Sequence, residues 1–301
     1  MLLACYPCKH ALVNLVYQHN IVGTLDIVRA CVRVCAVAHV VKKISTDCAV
    51  LDVTSVDDEL FVLLLQHDNQ VAVYSINDYQ LLRHLNLPGL TPDYSNDMTS
   101  CVQHKCLYVS DRCIHRYHLA SSAISKWSVP DKPLGLSVTP SCNLLVTCRG
   151  KPNKLVELHA DSGQCVREIA LQSDCVYLWH GVQLTTGQFA VSVCHNGPFN
   201  ELHRVCLVDN DGEVTRSYGG QAGSDVGQLY SPSHLAVDKD SQFIFVADRF
   251  NDRVVLLSPT LGFVRYVSEG LSPPHRLCLH QATGRLFVGP WVDYDVTVIE
   301  L

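Results

Sequence analysis

Short runs of four to six apolar residues, rich in β-branched side chains, recur along the chain between clusters of Gly, Pro, Asn and Asp. Such runs predict strands rather than helices. Six of them share one phrase: "ELFVLL" from Glu59, "CLYVSD" from Cys106, "NLLVTC" from Asn143, "QFAVSV" from Gln188, "FIFVAD" from Phe243 and "RLFVGP" from Arg285. Aligned on the fourth residue, they place valine there every time, at Val62, Val109, Val146, Val191, Val246 and Val288, with intervals of 47, 37, 45, 55 and 42 residues. Each unit reads as a short apolar strand, a polar turn, the valine strand, a third strand and a more polar fourth. Four strands repeated at a period of roughly 45 residues predict a blade of a β-propeller. The long amphipathic helices that alternating βα units need are missing from the pattern.

The two ends of the pattern fit each other. The last unit, Pro273–Leu301, has only three strands, and a lone strand "HVVKKI" at His39–Ile44 precedes the first full unit. A ring of blades must close, and an N-terminal strand that completes the last blade removes an exposed edge. The expectation is an all-β, six-bladed propeller over residues 39–301, its last blade closed by a strand near 39–44. Residues 1–38 are expected to form an N-terminal extension outside the ring.

Composition sharpens this picture. Hydrophobic residues make up 48% of the chain and charged residues only 17%, so a large share of it is expected to be buried. Residues 1–43 carry a net charge of +4, which leaves −10 on the rest. A body that acidic is a poor general binder of phosphate. The 15 cysteines are an odd number, scattered through strand-like runs, and they read as reduced, buried thiols. Cys5 and Cys8 form a CxxC followed by His10, but no second ligand pair follows at zinc spacing. The opening "MLLACYPCKH" lacks a basic leader, and the stretch His10–Leu25 is too polar for a membrane span. A cytoplasmic protein without membrane contact is expected. No nucleophile elbow, Walker loop or H-E-x-x-H is present.

The segment "GQLYSPSHLAVDKDSQFIFVADRFNDRVVLLSP" (Gly227–Pro259) resembles an NHL repeat. The residues that carry the likeness are Gly227, Leu229, Pro232, His234, Leu235, Ala236, Val237, Asp238, Val246, Ala247, Asp248, Asn251, Arg253 and Val254. Blade two keeps Val109–Asp111 of this pattern, but no N-x-R follows. The resemblance implies a six-bladed propeller like the C-terminal domain of TRIM-NHL proteins. The RING, B-box and coiled coil of those ligases are not seen in this sequence. It therefore implies a recognition module of the ubiquitin pathway rather than ligase chemistry.

Within that repeat, Asp248, Asn251 and Arg253 read as the side chains that build the turn between second and third strands. His234 starts a first strand, where a channel would open. Counting from the prolines puts His275 at the same place in unit six; in unit four it falls on Gly181, with His180 one residue before. His180, His234 and His275 could meet on the axis and hold zinc or calcium, and peptidyl-hydroxyglycine lyases are similar propellers with histidines at the channel mouth. A metal-dependent lyase or hydrolase is thus one alternative. The loops between second and third strands offer Phe199, Arg249, Phe250, Trp291 and Tyr294, residue types enriched at binding hot spots. The favoured expectation is a non-catalytic platform for a protein partner that needs no cofactor. RNA binding is a second alternative, weakened by the acidic body.

Overall fold

The structure is a computed structural model that describes residues 37–301, apart from 69, 173, 174, 176 and 196–201. The expected extension at 1–38 therefore falls almost wholly outside the described residues. After β1 (His39–Ser45), blade one comprises β2 (Val50–Val56), β3 (Glu59–Leu64), β4 (Val71–Ser75) and β5 (Leu81–Leu85). Blade two is β6 (Met98–Cys101), β7 (Cys106–Ser110), β8 (Ile114–His118) and β9 (Ile124–Trp127). Blade three is β10 (Lys132–Val138), β11 (Leu144–Arg149), β12 (Lys154–Leu158) and β13 (Cys165–Ala170). Blade four is β14 (Leu178–Gln183), β15 (Phe189–His195), β16 (Leu202–Val208) and β17 (Val214–Gly220). Blade five is β18 (Pro232–Val237), β19 (Ile244–Asp248), β20 (Arg253–Leu257) and β21 (Phe263–Ser268). Blade six is β22 (Pro274–His280), β23 (Arg285–Pro290) and β24 (Asp295–Glu300), and β1 is its outer strand.

The six sheets are antiparallel and four-stranded, so the expected six-bladed, all-β architecture is what the chain adopts. The closing strand pairs antiparallel with β24, from His39 opposite Glu300 to Ser45 opposite Asp295. Its Val40 and Val41 remain exposed, as suits the outermost strand of a blade.

The second strand of each blade is apolar on both faces because each blade is sandwiched between two others. Along β3, Leu60, Val62 and Leu64 pack with Val296 and Val298 of blade six, while Phe61 and Leu63 pack with Leu107 and Val109 of blade two. Continuous apolar runs are what a strand buried on both faces requires. The six aligned valines lie on β3, β7, β11, β15, β19 and β23, all at most 2% exposed. Six apolar clusters result, one at each junction between neighbouring blades. Outer strands have only one packed face, so β5 is largely exposed.

In blade five, Asp248, Asn251 and Arg253 tie the turn between β19 and β20 to the loop that enters the blade. Asp248 Oδ1 accepts the Tyr230 N–H, and its Oδ2 accepts bonds from Asn251 Nδ2 and Arg253 Nε, each at 2.8 Å. Arg253 also donates to the carbonyls of Ser224 and Gln228 and lies over the Tyr266 ring at 4.3 Å. Asp248 and Arg253 are both buried. Removing one partner of such a pair leaves an uncompensated buried charge, which costs about 3–5 kcal/mol. Asp248→Ala is therefore expected to lower unfolding free energy by about that amount in urea titration. A loss under about 1 kcal/mol would mean that the cluster is not a structural tie.

Candidate functional site

Each first strand runs from one rim of the ring, here the upper, to the lower. The upper rim therefore gathers the loops between blades and those between second and third strands. The ladder registers identify the side chains that reach the axis. Val53, Met98, Leu136, Gly181, Leu235 and Leu277 each lie opposite one of the six aligned valines. The preceding residues are Asp52, Asp97, Gly135, His180, His234 and Arg276. The counterparts of His234 are thus His180 and Arg276, one residue away from the Gly181 and His275 that counting from the prolines suggests. The slip in unit six is a choice of proline: Pro274 pairs with Pro290 as Pro232 pairs with Asp248, and each stands two residues before its axial side chain, whereas counting from Pro273 stops one short; unit four has no proline to count from. In five blades the register also shifts on entering this position, at Val50/Asp52, Pro133/Gly135, Leu178/His180, Pro232/Leu235 and Pro274/Arg276. A bulge re-aims the next side chain, here into the channel.

The axial side chains latch each blade to the next. Asp52 accepts the backbone N–H of Met98, and Asp97 that of Leu136. His180 Nδ1 accepts the N–H of Leu235, and His234 Nδ1 that of Leu277, both at 3.3 Å. Blade three has Gly135 because a Cβ there would stand 2.6 Å from the Trp179 carbonyl oxygen. His180 Nε2 instead reaches back to the Leu136 carbonyl at 3.0 Å. Arg276 joins the ring from blade six, with Nε 3.1 Å from Asp97 and 3.5 Å from Asp52, and Nη2 donating to the Asn96 carbonyl. The imidazoles of His180 and His234 stack at 3.7 Å between centroids.

This environment sets the protonation states. Burial, then the neighbouring Asp97, holds the Asp52 carboxyl well above its ordinary range. Burial holds His180 below its ordinary value, and holds His234 well below it with further help from His180 and Arg276.

The axial cluster offers an ion two ligand atoms without hydrogen-bond partners, Asp97 Oδ1 and His234 Nε2, rather than the three imidazoles expected. Asp97, His180 and His234 do bring one ligand atom each within 4.8 Å of the others. Both ring nitrogens of His180 are already engaged, and Nδ1 of His234 accepts a backbone N–H, which leaves one imidazole nitrogen free for an ion. Arg276 already supplies the cation between the two carboxylates. His275 stands apart from this cluster, with its ring edge-on to Trp291 at 4.5 Å and to Trp179 at 6.2 Å. Below the axial layer a cavity of about 570 Å³ opens to the lower rim, lined by hydroxyls such as Thr54, Ser100 and Ser137 and by apolar side chains. The hydroxyls of Thr54, Ser100 and Ser137 are engaged in bonds between blades.

The upper rim has a different character. Arg249 begins the turn after β19, is only 5% exposed, and donates from Nη2 to Ser231. Its guanidinium lies 4.3 Å from the Phe250 ring, 4.7 Å from Trp291 and 5.5 Å from Trp179. Its Nε has no hydrogen-bond partner, and neither does either ring nitrogen of the buried His275 beside it. Burial lowers the pKa of Arg249, and burial first, then Arg276 and Arg249, holds His275 well below its ordinary value. Tyr94, Tyr177, Tyr230, Phe250 and Tyr294 are the exposed aromatic residues among those described, and all sit on upper-rim loops. Phe199 lies outside the described residues. Trp179, Tyr94, Tyr177 and Tyr230 escaped the sequence reading because they stand in loops between blades or at a strand start. No signal in the unaligned chain marks those positions.

No known protein-family profile matches the chain, and no curated protein matches it in sequence. Solved structures match the fold. A streptogramin B lyase structure is 12% identical, covers 87% of this chain and 97% of its own, and has a TM-score of 0.60. A catalytically inactive variant of virginiamycin B lyase from Staphylococcus aureus with quinupristin gives 11% identity, 88% and 99% coverage, and a TM-score of 0.60. A protein of unknown function from Bacteroides thetaiotaomicron gives 13% identity, 87% and 72% coverage, and a TM-score of 0.63. At such identities the likeness concerns the propeller fold alone. No helix among the described residues is long and apolar enough to cross a membrane.

The neutral buried imidazoles make stability depend on pH. His180, His234, His275 and His280 all have folded values below the ordinary 6.5, chiefly through burial. As pH falls through 6.5 the unfolded chain takes up protons that the folded chain refuses, so acidification destabilises the fold. Each ring contributes up to about 1.4 kcal/mol per pH unit until its folded value is reached. Asp52 and Asp248, both raised by burial above 3.8, act in the opposite sense above that value, but the imidazoles outnumber them. Urea midpoints are expected to fall between about pH 7 and about pH 5. A flat or rising profile would overturn the neutral assignment.

Proposed function

We propose that this protein is a non-catalytic recognition platform whose upper face binds a protein segment carrying a carboxylate. The observation that supports this is that every exposed aromatic side chain among the described residues stands on one rim, where the rings of Phe250, Trp291 and Trp179 surround the buried Arg249. Aromatic rings and arginine dominate binding hot spots. A buried guanidinium held only by ring faces and one hydroxyl is a strong site for an incoming carboxylate. The resemblance of blade five to an NHL repeat supports the same reading, since a recognition face of the TRIM-NHL type would select a protein substrate.

An enzyme reading has less support, because the axial carboxylates and the two stacked imidazoles serve as latches between blades. Repeated phosphates suit the upper face poorly. Asp47, Asp68, Asp93, Asp131, Asp225 and Glu269 stand on its loops. They stand among Arg112, Lys132, Arg149 and Lys151 on the same rim, and one buried cation within that mixed rim suits a single anion better than a string of them.

The test is selection of a random-peptide library on the wild-type protein, followed by affinities for Phe250→Ala and Arg249→Met. Binders enriched in Asp, Glu or a free C-terminal carboxylate are expected. Phe250→Ala should weaken them by about tenfold or more, and Arg249→Met should abolish binding without loss of melting temperature. Binders that lack acidic groups but respond to Phe250→Ala would keep the platform and remove the carboxylate. Binding indifferent to both substitutions, or displaced by single-stranded RNA, would sink the upper-face reading.

A further inference from the structure

We infer that the turn between β7 and β8 is a zinc site, with Asp111, Cys113 and His115 as ligands. Cys113 Sγ lies 3.5 Å from His115 Nε2 and 3.5 Å from Asp111 Oδ1. His115 Nε2 lies 3.0 Å from Asp111 Oδ2. One ligand atom from each residue falls within 4.8 Å of the other two. Zinc holds sulfur at about 2.3 Å and nitrogen or oxygen at about 2.0–2.2 Å in a tetrahedron, so its ligands stand about 3.3–3.6 Å apart. The three side chains already have close to that spacing, so an ion could enter with little movement of the backbone. The turn is also held in shape independently of any ion: Cys113 N–H donates to Asp111 Oδ1, and Asp111 N–H to the Cys113 carbonyl.

A second observation comes from comparing the blades. Asp111 stands two residues after the aligned valine of blade two, where Asp248 stands in blade five. Asp248 is neutralised there by the guanidinium of Arg253, 2.8 Å away. Blade two has no arginine at that turn facing its aspartate; it offers a thiol and an imidazole instead. His115 Nε2, 3.0 Å from Asp111 Oδ2, stands where the guanidinium stands in blade five, and the ion would enter between the two. Thiolate, imidazole and carboxylate together favour zinc over calcium or magnesium. On binding, Cys113 gives its thiol proton to solvent, His115 ligates as the neutral ring, and Asp111 ligates ionised. Thiolate and carboxylate then balance the two charges of the ion. Asp111 and Cys113 are half-buried and Arg112 is exposed, so solvent reaches the turn and a water or a partner's side chain can take the fourth position. This site is independent of the recognition reading, since it rests on none of the residues around Arg249.

The test is a cobalt(II) titration of the full chain, reduced and stripped of metal. It compares wild type, Cys113→Ser and the double variant Cys5→Ser/Cys8→Ser. Cys113→Ser keeps the Asp111–His115 pair and so leaves the turn folded, which its melting temperature checks. The wild type is expected to develop a thiolate-to-cobalt charge-transfer band that zinc abolishes. Cys113→Ser should bind about one equivalent less and lose the band, while the double variant keeps it. Equal spectra and stoichiometry for wild type and Cys113→Ser, or a band lost only in the double variant, would overturn the assignment.

Discussion

The inner strand of a propeller blade can ladder with one neighbour only. Its other edge faces the channel, where backbone N–H groups still need acceptors. In this ring the donors of Met98, Leu136, Leu235 and Leu277 are met by side chains from the preceding blade: two aspartates and two histidines. That solution fixes the chemistry of the axis. Two buried carboxylates close together need a cation, and Arg276 supplies it from blade six. Two imidazoles that accept through Nδ1 must stay neutral, and their burial keeps them so. Where blade four presses close, no side chain fits and glycine stands at 135.

Much of the architecture could be read from the chain because sandwiching makes the second strands apolar on both faces. Their repeated valine survives in every blade, since each such position is enclosed between two sheets. The outer strands, packed on one side, carry weaker signals; β5, "LLRHL", is nearly all exposed. The closing strand was readable from arithmetic alone, because a unit with three strands in a closed ring needs a fourth from elsewhere.

The axis was readable only in outline, and the reason is geometric. Unit six opens with two adjacent prolines and unit four with none, and a fixed count is blind to which position the ladder uses. Counting two from Pro273 lands on His275, whereas the ladder makes Pro274 the counterpart of Pro232, two residues before Arg276. The same blindness affects blade two. A search for N-x-R after Asp111 finds nothing, yet His115 reaches that aspartate from a different offset, because the turn from β7 to β8 is shorter than the turn after β19. Sequence patterns record residue type at fixed spacing. The fold conserves contact, and it reaches the contact by more than one spacing.

The division between axis and rim bears on function more than any single residue does. The side chains most suggestive of catalysis lie on the axis, and most of their hydrogen-bonding capacity is directed at holding blades together. Buried groups without hydrogen-bond partners stand on the axis, at Asp97 Oδ1, His234 Nε2 and Arg276 Nε, and also at the upper rim, where Arg249 Nε and both nitrogens of His275 lie under half-open aromatic rings. Leaving such groups unmatched costs stability. On the axis the unmatched atoms at least face one another, with Asp97 Oδ1 3.1 Å from Arg276 Nε and 3.8 Å from His234 Nε2; the groups one layer above have no such companions among the described residues, and an occupant that arrives from outside gives them one.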